Sequence, residues 1–166
     1  MKTPPFEYHA PGTVEDVLAL LAEHGDEAKV LAGGQSLVPM LAMRLARPTH
    51  LVDLNGVGGL SGIGERDGAV TFGALTRERE AESSSLVAER VPLMAEALPL
   101  IGHVSIRTRG TLGGSMAHAD ASAELPAAAM MTGTEMVLRS TRAQRVVPAD
   151  QYSWATSPRP RTTTSC

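Results

Sequence analysis

The stretch from Ile106 to Pro126 constrains this chain most, because small residues and glycines crowd its centre. Glycine has no Cβ, so such a run lets backbone N–H groups approach a bulky ligand closely. Gly113-Gly114 is therefore predicted to form a turn or nest whose amides point at phosphate oxygens, with the Thr111 and Ser115 hydroxyls beside them. A tight surface turn made by the two glycines is the alternative that this stretch alone leaves open.

A second glycine pair lies much earlier in the chain. Lys29 to Ala32 is typical of a short buried strand, Gly33-Gly34-Gln35-Ser36 follows at once, and Leu37 to Leu45 has a helical pattern. Unpaired N–H groups at the start of a helix suit a phosphate, although Ser36 has the alternative role of capping that helix. Both loops lack G-x-G-x-x-G, which disfavours a dinucleotide Rossmann site. We expect the two loops to hold one pyrophosphate from opposite sides.

Residues 1–55 are predicted to form an amino-terminal α/β lobe. Thr13 is placed to cap a helix whose apolar stripe begins at Val14, and Gly25 is placed to end it. The strand before the first glycine pair comes next, and His50 to Leu54 reads as another strand. The order helix, strand, glycine turn, helix, strand is that of an α/β unit.

Residues 56–150 are predicted to form a second, α+β lobe. Asp67-Gly68 indicates a hairpin between Leu60–Ile63 and Ala69–Phe72, and Thr76 is a candidate cap for a helix through Arg77 to Arg90. The remaining predicted elements are helices over Pro92–Leu100 and Glu124–Thr132 and paired strands over Glu135–Arg139 and Gln144–Val147.

Residues 151–166 have no apolar periodicity. They are interpreted as an irregular tail, either flexible or produced by a frameshift near Asp150.

Charge and cysteine content exclude several classes of function. The formal net charge is −3 with no basic cluster, which argues against nucleic-acid binding. Cys166 is the only cysteine, so no disulfide or iron–sulfur site is expected within the chain. His103 and His118 lack partners at metal-ligand spacing, and no metal site is predicted. No apolar run approaches the roughly 20 residues that span a bilayer, and no signal peptide begins the chain, so a cytoplasmic protein is expected.

The two glycine-rich motifs together resemble a known family. Ala32-Gly33-Gly34-Gln35-Ser36-Leu37 and Ile106-Arg107 with Gly110-Thr111-Leu112-Gly113-Gly114-Ser115 are similar to the FAD-binding medium subunit of the molybdenum hydroxylases. That group includes aerobic carbon monoxide dehydrogenase and the FAD portion of xanthine dehydrogenases. The resemblance covers about Phe6 to Asp150 and implies a two-lobed α+β FAD-binding domain of the vanillyl-alcohol-oxidase (PCMH) type.

The resemblance also implies which residues contact FAD. The pyrophosphate and nearby flavin would be lined by Val30, Leu31, Ala32, Gly33, Gly34, Gln35, Ser36 and Leu37. Ile101 and Gly102 would pack on the cofactor, and Glu124 would reach ribose or adenine hydroxyls. A second set of phosphate contacts would come from Thr111, Gly113, Gly114 and Ser115. No catalytic side chain is predicted, because the flavin performs the redox chemistry.

In such subunits the flavin takes electrons from iron–sulfur clusters of a small partner, which received them from the molybdopterin cofactor of a large partner. The electrons then leave to an external acceptor. The family's chain continues well beyond the length of this one, so we expect an incomplete second lobe, a missing C-terminal domain and weakened FAD binding. Two alternatives remain open: a stand-alone flavin oxidase of the same fold, and a truncated remnant that retains no FAD.

Overall fold

The amino-terminal lobe is built on a parallel sheet of three short strands in the computed structural model, which describes residues 2–156. The middle strand is β3 (His50–Asp53), with β1 (Glu7–His9) on one side and β2 (Ala28–Leu31) on the other. Leu31 is in register with Asp53, so the carboxyl ends of β2 and β3 lie side by side. The first glycine loop leaves the sheet at this edge.

One face of the sheet is covered by α1 (Val14–His24), which begins and ends as predicted. The Thr13 hydroxyl oxygen accepts a hydrogen bond from the Asp16 amide at 3.1 Å, and Gly25 ends the helix with φ 51°. Val17 packs with Ala28, Val52 and Val57 in a first core cluster. The helix after the glycine loop, α2 (Leu37–Ala42), is shorter than predicted.

The second lobe contains two antiparallel hairpins and a set of short helices. A second core cluster joins its helices through Ala81, Val87, Met94, Leu98, Leu112 and Leu125. The elements are β4 (Ile63–Arg66), β5 (Ala69–Phe72), α3 (Glu78–Glu82), α4 (Ser85–Arg90), α5 (Pro92–Ala97), α6 (Val104–Arg109), α7 (Leu112–His118), α8 (Glu124–Met131), β6 (Glu135–Arg139), β7 (Gln144–Pro148) and α9 (Ala149–Thr156). The two clusters and mixed elements confirm the predicted two-lobed α+β class.

The predicted hairpin is confirmed, but its first strand lies later than expected. Asp67 and Gly68 both have positive φ, 53° and 80°, as a two-residue hairpin turn of the mirror-image type requires. This turn pairs Arg66 with Ala69. Strand β4 therefore ends immediately before the turn, and residues 60–62 precede it.

The predicted single helix over residues 77–90 is wrong, as is the cap at Thr76. The Thr76 hydroxyl is fully buried and donates to the Gly62 carbonyl at 2.8 Å, while accepting from the Gly62 amide at 3.0 Å. The helical segment breaks after Glu82, because Ser84 adopts an extended conformation and caps α4 through the Val87 amide. The two serines between α3 and α4 therefore mark a boundary.

The irregular tail predicted from residue 151 is wrong for its first six residues, which complete α9. Tyr152 is only 8% exposed, so this helix packs on the lobe. Residues 157–166 lie outside the described part of the chain, and the frameshift stays a prediction. Among residues 2–156, no helix combines the length and the apolar character needed to cross a bilayer.

Candidate functional site

A cleft of about 410 Å³ lies where the carboxyl ends of β2 and β3 meet the second lobe. The first glycine loop forms one wall, and the end of α6 reaches the opposite side. Its lining consists of Leu31, Ala32, Gly33, Gly34, Gln35, Val38, Pro39, Asp53, Asn55 and Arg109. Crevices at the carboxyl edge of parallel strands are common ligand sites in α/β proteins.

The first glycine loop presents a row of free backbone amides. Within the described residues no protein acceptor receives the N–H groups of residues 33–37, and the next amide, that of Val38, donates to the Gly34 carbonyl at 3.0 Å. Gly34 takes φ 75°, a left-handed conformation that suits glycine. Consecutive unpaired amides form a concavity of the kind that binds anions. The loop therefore has the donors that a phosphate group requires.

The second glycine loop lies against the first, as predicted. A Cβ on Gly33 would lie 2.9 Å from the Gly110 Cα, and a Cβ on Gly114 would lie 3.5 Å from the Ala32 Cβ. The missing side chains let the two lobes approach at this point. The two glycine loops therefore lie in contact, and their joint binding of one pyrophosphate stays a prediction.

The Gly113 and Gly114 amides both donate to acceptors within the protein in this structure. Both glycines lie in the first turn of α7, where the Gly113 amide donates to the Ala74 carbonyl at 2.9 Å. The Gly114 amide donates to the hydroxyl of Thr111, which caps the helix. Glycine is required at 113 for packing, because a Cβ there would lie 2.7 Å from the Ala74 Cβ. These amides are consequently occupied within the protein.

A polar network fixes the floor of the cleft around Asp53. The Tyr8 hydroxyl donates to one carboxylate oxygen at 2.6 Å, and the Asn55 amide donates to the other at 2.8 Å. Partial burial works to raise the pKa of Asp53, but these hydrogen bonds and the nearby Arg109 charge outweigh it and hold the pKa below its usual value. Asn55 also donates from its side chain to the Ala32 carbonyl at 3.0 Å, which ties β3 to the glycine loop.

Two arginines of the second lobe complete the site. Arg77 donates to the Asn55 side-chain oxygen at 2.8 Å and to the Arg109 carbonyl, so it links the lobes. The Arg109 side chain is exposed, lines the cleft and makes no ion pair with any residue of the described range. An unpaired guanidinium beside free amides is suited to a phosphate.

Arg107 and Arg109 both belong to α6, but only the Arg109 side chain is exposed. Arg107 is 6% exposed and contacts the Glu82 carboxylate at 2.8 Å. Its guanidinium also donates to the carbonyls of Ile101 and Gly102 at 2.8 and 3.1 Å. The loop before α6 is thereby held in place.

The structure brings only part of the predicted contact set into the cleft. Residues 31–35 line it, whereas Val30, Ser36 and Leu37 flank that segment outside the lining. Ile101 packs on the second core cluster, and Glu124 begins α8. Ile101, Gly102, Thr111, Gly113, Gly114, Ser115 and Glu124 are likewise outside the lining. Their contacts with a cofactor stay predictions.

Val38, Pro39, Asp53, Asn55 and Arg109 line the cleft without having been predicted as site residues. A signal existed for two of them, because Asp53 and Asn55 stand at the end of a strand parallel to the one before the glycine loop, and such ends share an edge. Arg109 had no comparable signal. Its place depends on how the second lobe packs.

The fold and the cleft define a binding module for a phosphate-bearing cofactor, assembled from two lobes that meet at glycines. Residues 4–163 match the family described as the FAD binding domain in molybdopterin dehydrogenase. The chain belongs to this family, and FAD is accordingly its cofactor. The free amides at residues 33–37 and the unpaired Arg109 fit the cofactor's diphosphate.

The chain is also similar in sequence to curated subunits of dehydrogenases. The chain is 45% identical over 148 residues to the 6-hydroxypseudooxynicotine dehydrogenase complex subunit alpha of Paenarthrobacter nicotinovorans, covering 89% of this chain and 50% of the relative. It is 44% identical over 152 residues to the carbon monoxide dehydrogenase medium chain of Hydrogenophaga pseudoflava, covering 92% and 53%. The chain thus spans about half the length of the curated relatives it matches.

Solved structures agree with the sequence relatives. A carbon monoxide dehydrogenase from Hydrogenophaga pseudoflava that lacks the Mo-pyranopterin moiety superposes with a TM-score of 0.88 at 45% identity, covering 90% of this chain and 52% of that one. Quinoline 2-oxidoreductase from Pseudomonas putida 86 gives a TM-score of 0.86 at 41% identity, with the same coverage. The predicted PCMH-type fold is therefore confirmed.

Proposed function

We propose that this chain is the FAD-binding part of a medium subunit in a molybdenum-containing hydroxylase of the carbon monoxide dehydrogenase and xanthine dehydrogenase type. The observation that carries the proposal is the row of free amides at residues 33–37, of which residues 33–35 line a cleft closed by the second lobe. The relatives support it, since they include a medium chain and an FAD-binding subunit of dehydrogenases.

The chain's own residues would bind and orient the cofactor. The amides of the first glycine loop would donate to the diphosphate, and the Arg109 guanidinium would offset its charge. Tyr8, Asp53 and Asn55 hold the loop in position through hydrogen bonds. Bound FAD supplies the capacity to accept and release electrons between a donor and an external acceptor.

The partners in this proposal are an iron–sulfur small subunit and a molybdopterin-containing large subunit, in a cytoplasmic complex. The amino-terminal lobe is assigned to residues 1–55 and the second to residues 56–150. The two core clusters support this division, with Val57 joining the first cluster from just beyond the boundary. A chain that retains no FAD, or one that acts as a stand-alone flavin oxidase, is the alternative.

The test is a titration of the purified 166-residue chain with FAD, followed by flavin fluorescence, and by flavin absorbance after desalting. Gln35→Glu places a carboxylate beside the free amides, so FAD should bind about tenfold more weakly, or about 1.4 kcal/mol. Gln144→Glu makes the same change at an exposed residue of β7 and should leave the affinity unaltered.

Each outcome separates the alternatives. Saturable binding weakened only by Gln35→Glu supports the proposal, and retention after desalting would refute the expected weakness of the site. A chain with native circular dichroism and no saturable FAD binding would show that the chain is a truncated remnant that retains no FAD. Substrate oxidation by the isolated flavin-loaded chain would establish the stand-alone oxidase.

A further inference from the structure

Three histidines from separate parts of the chain meet on the α1-covered face of the amino-terminal sheet. His9 ends β1, His50 begins β3 and His24 is the last residue of α1. One ring nitrogen from each lies within 4.8 Å of the other two. The sequence separations hide this cluster, and no metal site was predicted from the sequence.

The sheet register places the cluster away from the cofactor cleft. His9 is in register with Val52, which packs beneath α1, and His50 lies two residues before Val52 on the same face. Asp53 lies three residues after His50, so its side chain leaves the opposite face. The histidine cluster is therefore a separate feature from the site described above.

The cluster contains the donors of a transition-metal site. His9 Nε2 and His50 Nδ1 are 3.0 Å apart, and the Glu7 carboxylate oxygens lie 4.0 Å from the former and 3.8 Å from the latter. The His9 and His50 side chains are 17% and 16% exposed, which leaves a path for an ion. Three imidazoles with one carboxylate are ligands that Zn²⁺ prefers in fourfold coordination.

The present ring arrangement is close to a ligand geometry but differs at His24. Zinc–nitrogen bonds of about 2.0–2.1 Å set tetrahedral nitrogens roughly 3.3 Å apart, near the His9–His50 separation. The His24 ring is stacked on the His50 ring at 3.7 Å with an 8° angle, so the two cannot aim lone pairs at one point as they lie. Rotation of His24 about its side-chain bonds at the end of α1 would direct a nitrogen to the ion.

We propose that His9, His24 and His50, with Glu7, bind one zinc ion that ties α1 to β1 and β3. Because the ion would bind the folded chain, it would also raise the melting temperature.

The test titrates the untagged, chelator-stripped 166-residue chain with Zn²⁺ at about pH 7.5 against a chromophoric competitor. One ion should bind with saturation. His24→Ala leaves the sheet residues intact and should weaken binding at least about tenfold; Glu7→Gln should weaken it less. His103→Ala, which removes an exposed imidazole from the second lobe, is the matched control.

Loss of tight binding in His24→Ala, with His103→Ala equal to the original chain, establishes the site. Equal affinity in both variants, or no saturable binding by a chain with native circular dichroism, overturns the proposal. FAD titration of His24→Ala gives the independent readout: an unchanged FAD affinity is expected, because no histidine of the cluster lines the cleft.

Discussion

Gly33 lies so close to the carbonyl of Arg109 that no side chain fits between the two lobes at this point. The contact is the reason that the free amides of the first loop and the Arg109 side chain share one cleft. Glycine at position 33 is therefore a requirement of lobe packing as well as of ligand approach.

Gly33→Ala should destabilise the chain by about 1–3 kcal/mol, because the new methyl group must displace backbone of the second lobe. Denaturant unfolding followed by circular dichroism measures this difference. Gly12→Ala is the control, since a Cβ there meets no atom within 4 Å, and it should change stability by no more than about 0.5 kcal/mol. Equal effects of the two substitutions would contradict the packing argument.

Arg109→Gln should raise the dissociation constant for FAD by about tenfold, equivalent to about 1.4 kcal/mol, because it removes the unpaired positive charge of the cleft. This loss of FAD affinity should be smaller at high salt, because screening weakens the attraction between the Arg109 charge and the diphosphate in the original chain. Fluorescence titration at low and high ionic strength measures both effects. Arg142→Gln, an exposed arginine of the β6–β7 turn, should bind FAD normally; a similar loss there would point to net charge alone.

Glu78→Gln should make stability less dependent on pH. Glu78 is 4% exposed, and within the described residues its Oε2 has no hydrogen-bond partner. Burial is the main cause that raises its pKa to about 7; the Glu124 charge adds to the rise, and the Arg107 charge opposes it. The folded chain therefore holds this proton more tightly than the unfolded chain does, and stability falls as the pH rises from about 4.5 to about 7.

At about pH 8, Glu78→Gln should be more stable than the original chain by about 1–2 kcal/mol, and the two should converge near pH 5. Urea unfolding at both pH values gives the comparison. Glu80→Gln alters an exposed carboxylate on the same helix and should show no such pH dependence. A Glu78→Gln variant that is less stable at both pH values would refute the assignment.

Arg107→Lys should lower the melting temperature by several degrees, because lysine cannot make the forked contact with Glu82 while also reaching the Ile101 and Gly102 carbonyls. The Arg107 hydrogen bond is the main cause that holds the Glu82 pKa below its usual value. This pairing stabilises the fold above the unfolded pKa of Glu82, and the contribution is lost as the pH falls through the folded pKa.

Scanning calorimetry at neutral and acidic pH should therefore show that the melting temperatures of Arg107→Lys and the original chain differ less at acidic pH. Arg79→Lys is the control, since Arg79 contacts the same Glu82 at 2.8 Å from an exposed position. Its melting temperature should change little. If both substitutions lower the melting temperature equally, the buried position of Arg107 does not contribute to stability.

Local chemistry was enough to predict several elements from the sequence. Thr13 caps the start of α1, Gly25 ends this helix, and the Asp67-Gly68 turn produces a hairpin. These features could be predicted because each depends only on the neighbouring backbone. The paired glycine motifs were likewise sufficient to indicate the family and its FAD cofactor. Boundaries such as the break between α3 and α4 were missed, since a serine cap competes there with helix continuation.

Tertiary packing alone decided how the second glycine pair is used and which side chains share a surface. Gly113 packs on Ala74 and Gly114 bonds to its own capping threonine, so their amides are not free, a choice that composition does not reveal. Arg109 reaches the cleft, and His9, His24 and His50 converge, because elements distant in sequence are brought together by the sheet register and the lobe contact. Backbone preferences act over a few residues, whereas the juxtaposition of distant side chains exists only once the core has packed.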